Sequence, residues 1–159
     1  MIELLSPAGS PEAVIAAVQN GADAIYMGLG NFNARRGAKN FTDEEFVKAV
    51  RYCHVRGCKV YVTLNTLVND REMRDAVAAA KLASDAGADA LIVQDLGMSY
   101  AIRCALPDIP LHASTQMSLH NLAGVEAAAE MGMTRAVLAR DLAGSVCRIV
   151  VVNVHRGSG

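Results

Sequence analysis

The segment His112-Ala-Ser-Thr-Gln116 carries a polar side chain at every second residue. In an extended strand this spacing puts His112, Ser114 and Gln116 on one side and Leu111, Ala113 and Thr115 on the other. An imidazole presented in this way is a general base, a donor to an anionic substrate or a structural histidine held by hydrogen bonds, and the residue types leave all three open. His112 and Ser114 with Asp95 supply the groups of a nucleophilic triad. There is no Gly-x-Ser-x-Gly elbow, however, and neighbours two residues apart on a strand do not by themselves make a base and nucleophile pair. Asp95 and Asn65 equally suit helix caps. Residues 28–41 hold a second group: Asn33 and Arg35 could clamp a carboxylate or phosphate through the guanidinium fork, with Arg36 and Lys39 nearby. A solvated charged loop is the plainer reading of that segment.

These side chains recur at one kind of place. Apolar, β-forming runs are predicted at 2–5, 24–27, 59–64, 90–93, 111–113 and 135–139. Each is followed by polar residues: Ser6-Pro7-Ala8-Gly9, Asn33 with Arg35, Asn65-Thr66, Gln94-Asp95, His112 to Gln116, and Arg140-Asp141. Helical stretches lie between the runs. One opens at Ser10-Pro11-Glu12 and stops at Gly21, a second opens at Thr42-Asp43-Glu44-Glu45 and runs to Gly57, and a third opens at Asn69-Asp70-Arg71-Glu72 and ends at Gly87. Two more are expected near 96–106 and 121–132.

The junctions Gly21-Ala-Asp-Ala24 and Gly87-Ala-Asp-Ala90 read as a helix closed by a left-handed glycine and then a turn into a strand. Nearly continuous apolar strands separated by helices predict a parallel sheet. Pro7-Ala8-Gly9-Ser10 is not the Gly-x-Gly-x-x-Gly turn of a doubly wound sheet, so the expected class is the (βα)8 TIM barrel. A complete barrel takes about 250 residues. Six strands by residue 139 make an incomplete one, with its chemistry at the strand exits.

The 159 residues are 52% hydrophobic and 19% charged, with a net charge of -1, which suits one folded domain rather than a disordered tail. The core must be aliphatic, since there are three Phe, four Tyr and no Trp. Mixed charge gives no field that would grip a phosphate backbone indiscriminately, so nucleic-acid binding would be local. Neither a signal peptide nor a membrane span is expected, and the anticipated location is cytoplasmic. The four cysteines, Cys53, Cys58, Cys104 and Cys147, lack paired metal spacing and are expected as reduced thiols. Cys53 and Cys58 flank His54, but a zinc site would need a fourth ligand.

Seven ordered segments carry a resemblance: Ile2 to Ala13 around Ser-Pro-Ala-Gly-Ser-Pro-Glu-Ala, Gly21-Ala-Asp-Ala-Ile-Tyr-Met-Gly28, Asn31-Phe-Asn-Ala-Arg35, Lys59-Val-Tyr-Val-Thr-Leu-Asn-Thr66, Leu91-Ile-Val-Gln-Asp95, His112-Ala-Ser-Thr-Gln-Met117 and Val137-Leu-Ala-Arg-Asp141. Together they resemble the N-terminal part of the U32 peptidase family, the collagenase-like proteases, from residue 2 to about 142. The resemblance implies a (βα)8-type catalytic domain, with Asn33, Arg35, Asn65, Gln94, Asp95, His112, Ser114, Gln116 and Arg140 on the family's strand-exit motifs. It implies either proteolysis or oxygen-independent hydroxylation of a tRNA uridine or rRNA cytidine. Several such enzymes hold an iron–sulfur cluster through cysteines downstream of the matched region, so no cofactor is expected in this chain and no cluster role passes to Cys147.

The expected division is a partial barrel over 1–141 and a divergent tail over 142–159, whose run at 146–154 suits a strand. Too few residues separate it from the previous strand for a crossover helix, so an antiparallel edge is anticipated. His112, Asp95 and Ser114 are the catalytic candidates, and Asn33, Arg35, Asn65, Gln94, Gln116 and Arg140 the substrate-binding ones, with no metal ligand among them. RNA-base hydroxylation is the leading expectation, because the arginine loop suits an anionic substrate and neither a hydrolytic elbow nor a His-Glu-x-x-His helix is present. A collagenase-like protease is the alternative. A third reading is a non-catalytic fragment that oligomerises through its unpaired sheet edge.

Overall fold

The computed structural model describes residues 3–30, 32–33 and 41–139, with the backbone of strand 151–153. Strands and helices alternate: β1 (Leu5–Pro7), α1 (Pro11–Gln19), β2 (Ala24–Gly28), α2 (Asp43–His54), β3 (Lys59–Leu64), α3 (Met73–Asp85), β4 (Ala90–Val93), α4 (Leu96–Ala105), β5 (Leu111–Ala113), a 3-10 turn (Thr115–Met117), α5 (Leu122–Glu130), β6 (Met133–Val137) and β7 (Val151–Asn153). The sheet follows chain order from β1 to β7. β1 to β6 are parallel, and β7 returns antiparallel beside β6. This is the incomplete (βα) barrel expected from the pattern.

The helices begin where side chains replace missing backbone partners. Ser10 accepts from the Ala13 N–H with Pro11 opening α1, and Thr42 and Glu45 form a reciprocal capping box at α2. The third helix differs from expectation. Asn69 accepts from the Arg71 and Glu72 N–H groups, so residues 70–72 form a turn and α3 starts at Met73.

Two strands are also displaced. Pairing of β1 starts at Leu5, opposite Ala24, because the Leu4 N–H is taken by the Asp23 carboxylate at 2.7 Å. β6 starts at Met133 because Gly132, at φ 86°, turns the chain straight out of α5 into the sheet.

The Gly-Ala-Asp junctions have a common construction. After α1 the Ala22 N–H reaches back to the Ala17 carbonyl, and after α3 the Ala88 N–H reaches back to Ala83. The intervening Gly21 and Gly87 adopt positive φ, as helix-closing glycines do. The aspartate then accepts from a backbone N–H at the start of the neighbouring strand: Asp23 from Leu4, just before β1, and Asp89 from Val60 of β3, each at 2.7 Å. Each junction thus closes a helix and fixes the strand register.

Alternation divides the strands between two faces. Ile25, Met27, Val60, Val62, Leu64, Leu91, Val93, Leu111 and Ala113 are buried under the helices with Val14, Phe46, Ala80 and Ile102. The concave face carries Ala24, Tyr61, Ala90 and Ile92, with Leu5 and Tyr26 against them. Burial of side chains such as Phe46 and Leu91 stabilises by about 1.5–3 kcal/mol each.

Candidate active site

The parallel register builds the site as a row across the concave face. Gly28 lies beside Thr63, Thr63 beside Ile92, and Ile92 beside His112. Two residues further along the chain, just beyond the ends of β3, β4 and β5, come Asn65, Gln94 and Ser114. The shared register therefore brings these three to the same end of the sheet as His112, the rim where (βα) barrels carry their chemistry.

Asn33 joins them by packing on Gly28. Its side-chain amide donates to the Gly30 carbonyl at 2.9 Å, and the residue is only 3% exposed. A Cβ on Gly28 would lie 2.5 Å from Asn33 Cγ. The glycine is required here by the approach of a side chain, at a β2 exit that faces the barrel interior.

The strand alternation expected through Gln116 stops at Ala113. Ser114 begins a 3-10 turn and its Oγ accepts from the Gln116 N–H at 3.2 Å, which leaves the Gln116 side chain exposed rather than in line with His112. Asp95 caps α4: Oδ1 accepts from the Met98 N–H at 2.7 Å, while Oδ2 faces the Val68 N–H at 3.5 Å. Among the described residues neither Ser114 nor Asp95 hydrogen-bonds the His112 ring. Arg35 and Arg140, with the rest of 34–40 and Cys147, lie outside the described residues.

His112 is 6% exposed and its ring meets that of Tyr61 edge-on, centroids 4.9 Å apart. Burial, then the positive charges of Arg135 and Lys59, push the imidazole down to about 4 against the opposing pull of Glu3, so it is neutral near pH 7. Sequence reasoning missed the groups around it. Tyr61 Oη donates to Glu3 at 2.9 Å, and Arg135 bonds Glu3 at 2.6 Å and Tyr61 at 3.3 Å. Burial raises the Glu3 carboxyl, but hydrogen bonds from Arg135 and Tyr61 and nearby positive charge outweigh it and lower the net value. The available signal was a charged residue within each of two apolar β-forming runs of the sequence, Glu3 in 2–5 and Arg135 in 135–139.

The described cysteines do not fit an iron–sulfur cluster. Cys53 and Cys58 are buried together at the end of α2, Cys104 is exposed on α4, and His54 turns to Asp89 at 2.9 Å. Burial and the neighbouring Cys58 push the Cys53 thiol up to about 12. No cluster of three or more His, Cys, Asp or Glu placed to hold a metal occurs among the described residues.

A curled parallel sheet with polar groups gathered at its C-terminal rim defines a portion of a (βα)-barrel protein. Solved structures share this fold: a U32 peptidase, Mk0906, superposes with a TM-score of 0.74 at 15% identity, covering 91% of this chain and 61% of that one. QR15, an aldolase, gives 0.65 at 18% identity, covering 85% and 67%.

The family model for peptidase family U32 matches residues 9–151, and the chain belongs to that family. The match runs past Asp141, beyond where the sequence motifs ceased to be recognisable. Its relatives include the 23S rRNA 5-hydroxycytidine C2501 synthase of Escherichia coli, 38% identical over 89% of this chain and 21% of that protein. The tRNA hydroxylation protein P1 of Bacillus subtilis is 37% identical over 87% and 33%. A collagenase of Porphyromonas gingivalis is 36% identical over 75% and 28%. The chain thus spans about a fifth to a third of these curated relatives.

Proposed function

We propose that the chain forms part of the catalytic barrel of an enzyme that hydroxylates an RNA base. The observation that carries this reading is the composition of the rim. Gln94 and a neutral His112 at this rim are uncharged hydrogen-bonding groups, the kind that read the edge of a heterocyclic base, and Asn33, tied to the Gly30 carbonyl, and Asn65 add amides rather than charge beside them. The Ser114 hydroxyl and Asp95 carboxylate are engaged with backbone N–H groups. A histidine held at about 4 is also a weak base for activating a serine near neutral pH. Relatives named for tRNA and rRNA hydroxylation support the same substrate class.

The test is RNA modification in cells by a full-length protein containing this segment. Arg35→Ala and His112→Ala are each expected to abolish or strongly reduce the modified base, and full modification in both variants overturns the reading. Proteolysis is the second reading, favoured by the relative named as a collagenase. It requires peptide release from gelatin or casein that one rim substitution abolishes.

A second copy of this chain is the other partner proposed. Among the described residues β1 is bonded on one side only, by β2, whereas β6 has β7 beside it. Among the described residues no helix is long and apolar enough to cross a membrane.

A further inference from the structure

The register between β5 and β6 slips at one point. Leu111 pairs with Met133 but His112 pairs with Arg135, so Thr134 is an extra residue on β6. Its hydroxyl donates to the Leu111 carbonyl at 3.3 Å. A bulge of this kind re-aims the residues that follow it. Without it, regular pairing would set Thr134 beside His112 and turn Arg135 toward the helices. With it, Arg135 enters the concave face, where its guanidinium lies 5.4 Å from the centre of the Tyr61 ring and is bound by Glu3.

Glu3 lies two residues before the start of β1, and Arg135 is 132 residues away on β6. Their ion pair crosses the interior of the curled sheet, with Tyr61 of β3 bonded to both. The Tyr61 ring also meets the His112 ring edge-on.

We propose that Arg135, held by Glu3 and Tyr61, is a positioning residue for His112, setting the orientation and the charge state of its ring. The charged groups acting on that ring are Arg135 on β6, Glu3 before β1 and Lys59 on β3, and the titratable Tyr61 on β3 touches it edge-on. Lys59 is exposed and only 4.0 Å from Glu3, a solvent-screened contact, whereas Arg135 is largely shielded. Arg135 is therefore the cation that His112 feels most, in agreement with the order of the causes. Because His112 is placed at the substrate rim, the inference rests on the proposed function for its catalytic meaning, but its physical content does not.

The test follows the His112 ring protons by NMR against pH in the full 159-residue chain, with Arg135→Lys, Arg135→Met and Glu3→Gln variants. In the native chain the ring should stay neutral from pH 8 to about 5, consistent with a burial-depressed histidine. Arg135→Lys keeps a cation and should preserve this behaviour. Arg135→Met leaves Glu3 facing the ring alone and should raise the midpoint by about one pH unit or more. Glu3→Gln should leave the ring neutral over the same range.

Loosening of the fold would instead move the Glu3→Gln and Arg135→Met midpoints upward together, toward that of a free histidine. That pattern, or one midpoint shared by all four proteins, overturns the proposal. Failure of the RNA reading would leave these titrations unchanged, so the two are separately decided.

Discussion

Asn33 packs so closely on Gly28 that any Cβ at 28 intrudes on its amide. Gly28→Ala is expected to destabilise by about 1–3 kcal/mol through overpacking, read as a lower midpoint in denaturant. Asn33→Ala in the same chain should remove most of that penalty, since the two effects are not independent. His112 gives a pH dependence of defined sign. Its folded value near 4 lies below that of a free histidine, so the unfolded chain takes up a proton first as pH falls. Stability contributed by neutral His112 is complete above about pH 6.5 and is lost as pH falls toward 4, on the order of 3 kcal/mol in all. Chemical denaturation of His112→Asn at pH 7 and pH 4.5 should show a smaller acid loss than the native chain; an equal loss would contradict this.

At the scale of elements, Asp95 separates a structural from a chemical role. As the cap of α4 it accepts from Met98, and asparagine caps as well as aspartate does. Asp95→Ala should therefore cost about 1 kcal/mol while Asp95→Asn restores stability, both measured by thermal melting. An RNA-modification defect in Asp95→Asn at full stability would assign the carboxylate a part in the chemistry.

The sequence made most of these elements legible, because caps and closing glycines are local signals. Thr42 with Glu45 and Gly87 with Asp89 each act within a few residues or on the adjacent strand. The alternation drawn through His112, Ser114 and Gln116 failed at its last member because Ser114 turns its own hydroxyl onto the backbone, a competition that strand periodicity does not register. The bulge at Thr134 was equally hidden. One extra residue in β6 leaves the apolar pattern nearly intact yet decides which way Arg135 points.

For the whole molecule, the polar rim was foreseeable from topology, since six parallel strands must present their exits at one end. The Glu3, Tyr61 and Arg135 cluster was not, because it joins residues 132 apart through curvature that no local pattern encodes. The same openness gives the last prediction. With no strand on the outer side of β1 among the described residues, light scattering at micromolar concentration should give at least a dimeric mass, and a monomer would exclude association through this edge. Pro7 lacks an N–H and so narrows the bonding such an edge offers to an added strand.

The matched hinges after α1 and α3 also have a bearing on how such a molecule tolerates rearrangement. Since Gly21 to Asp23 and Gly87 to Asp89 make the same backbone bonds to their own neighbours, the βα modules are joined by interchangeable couplings. A lineage could duplicate or transplant one module without redesigning its joints.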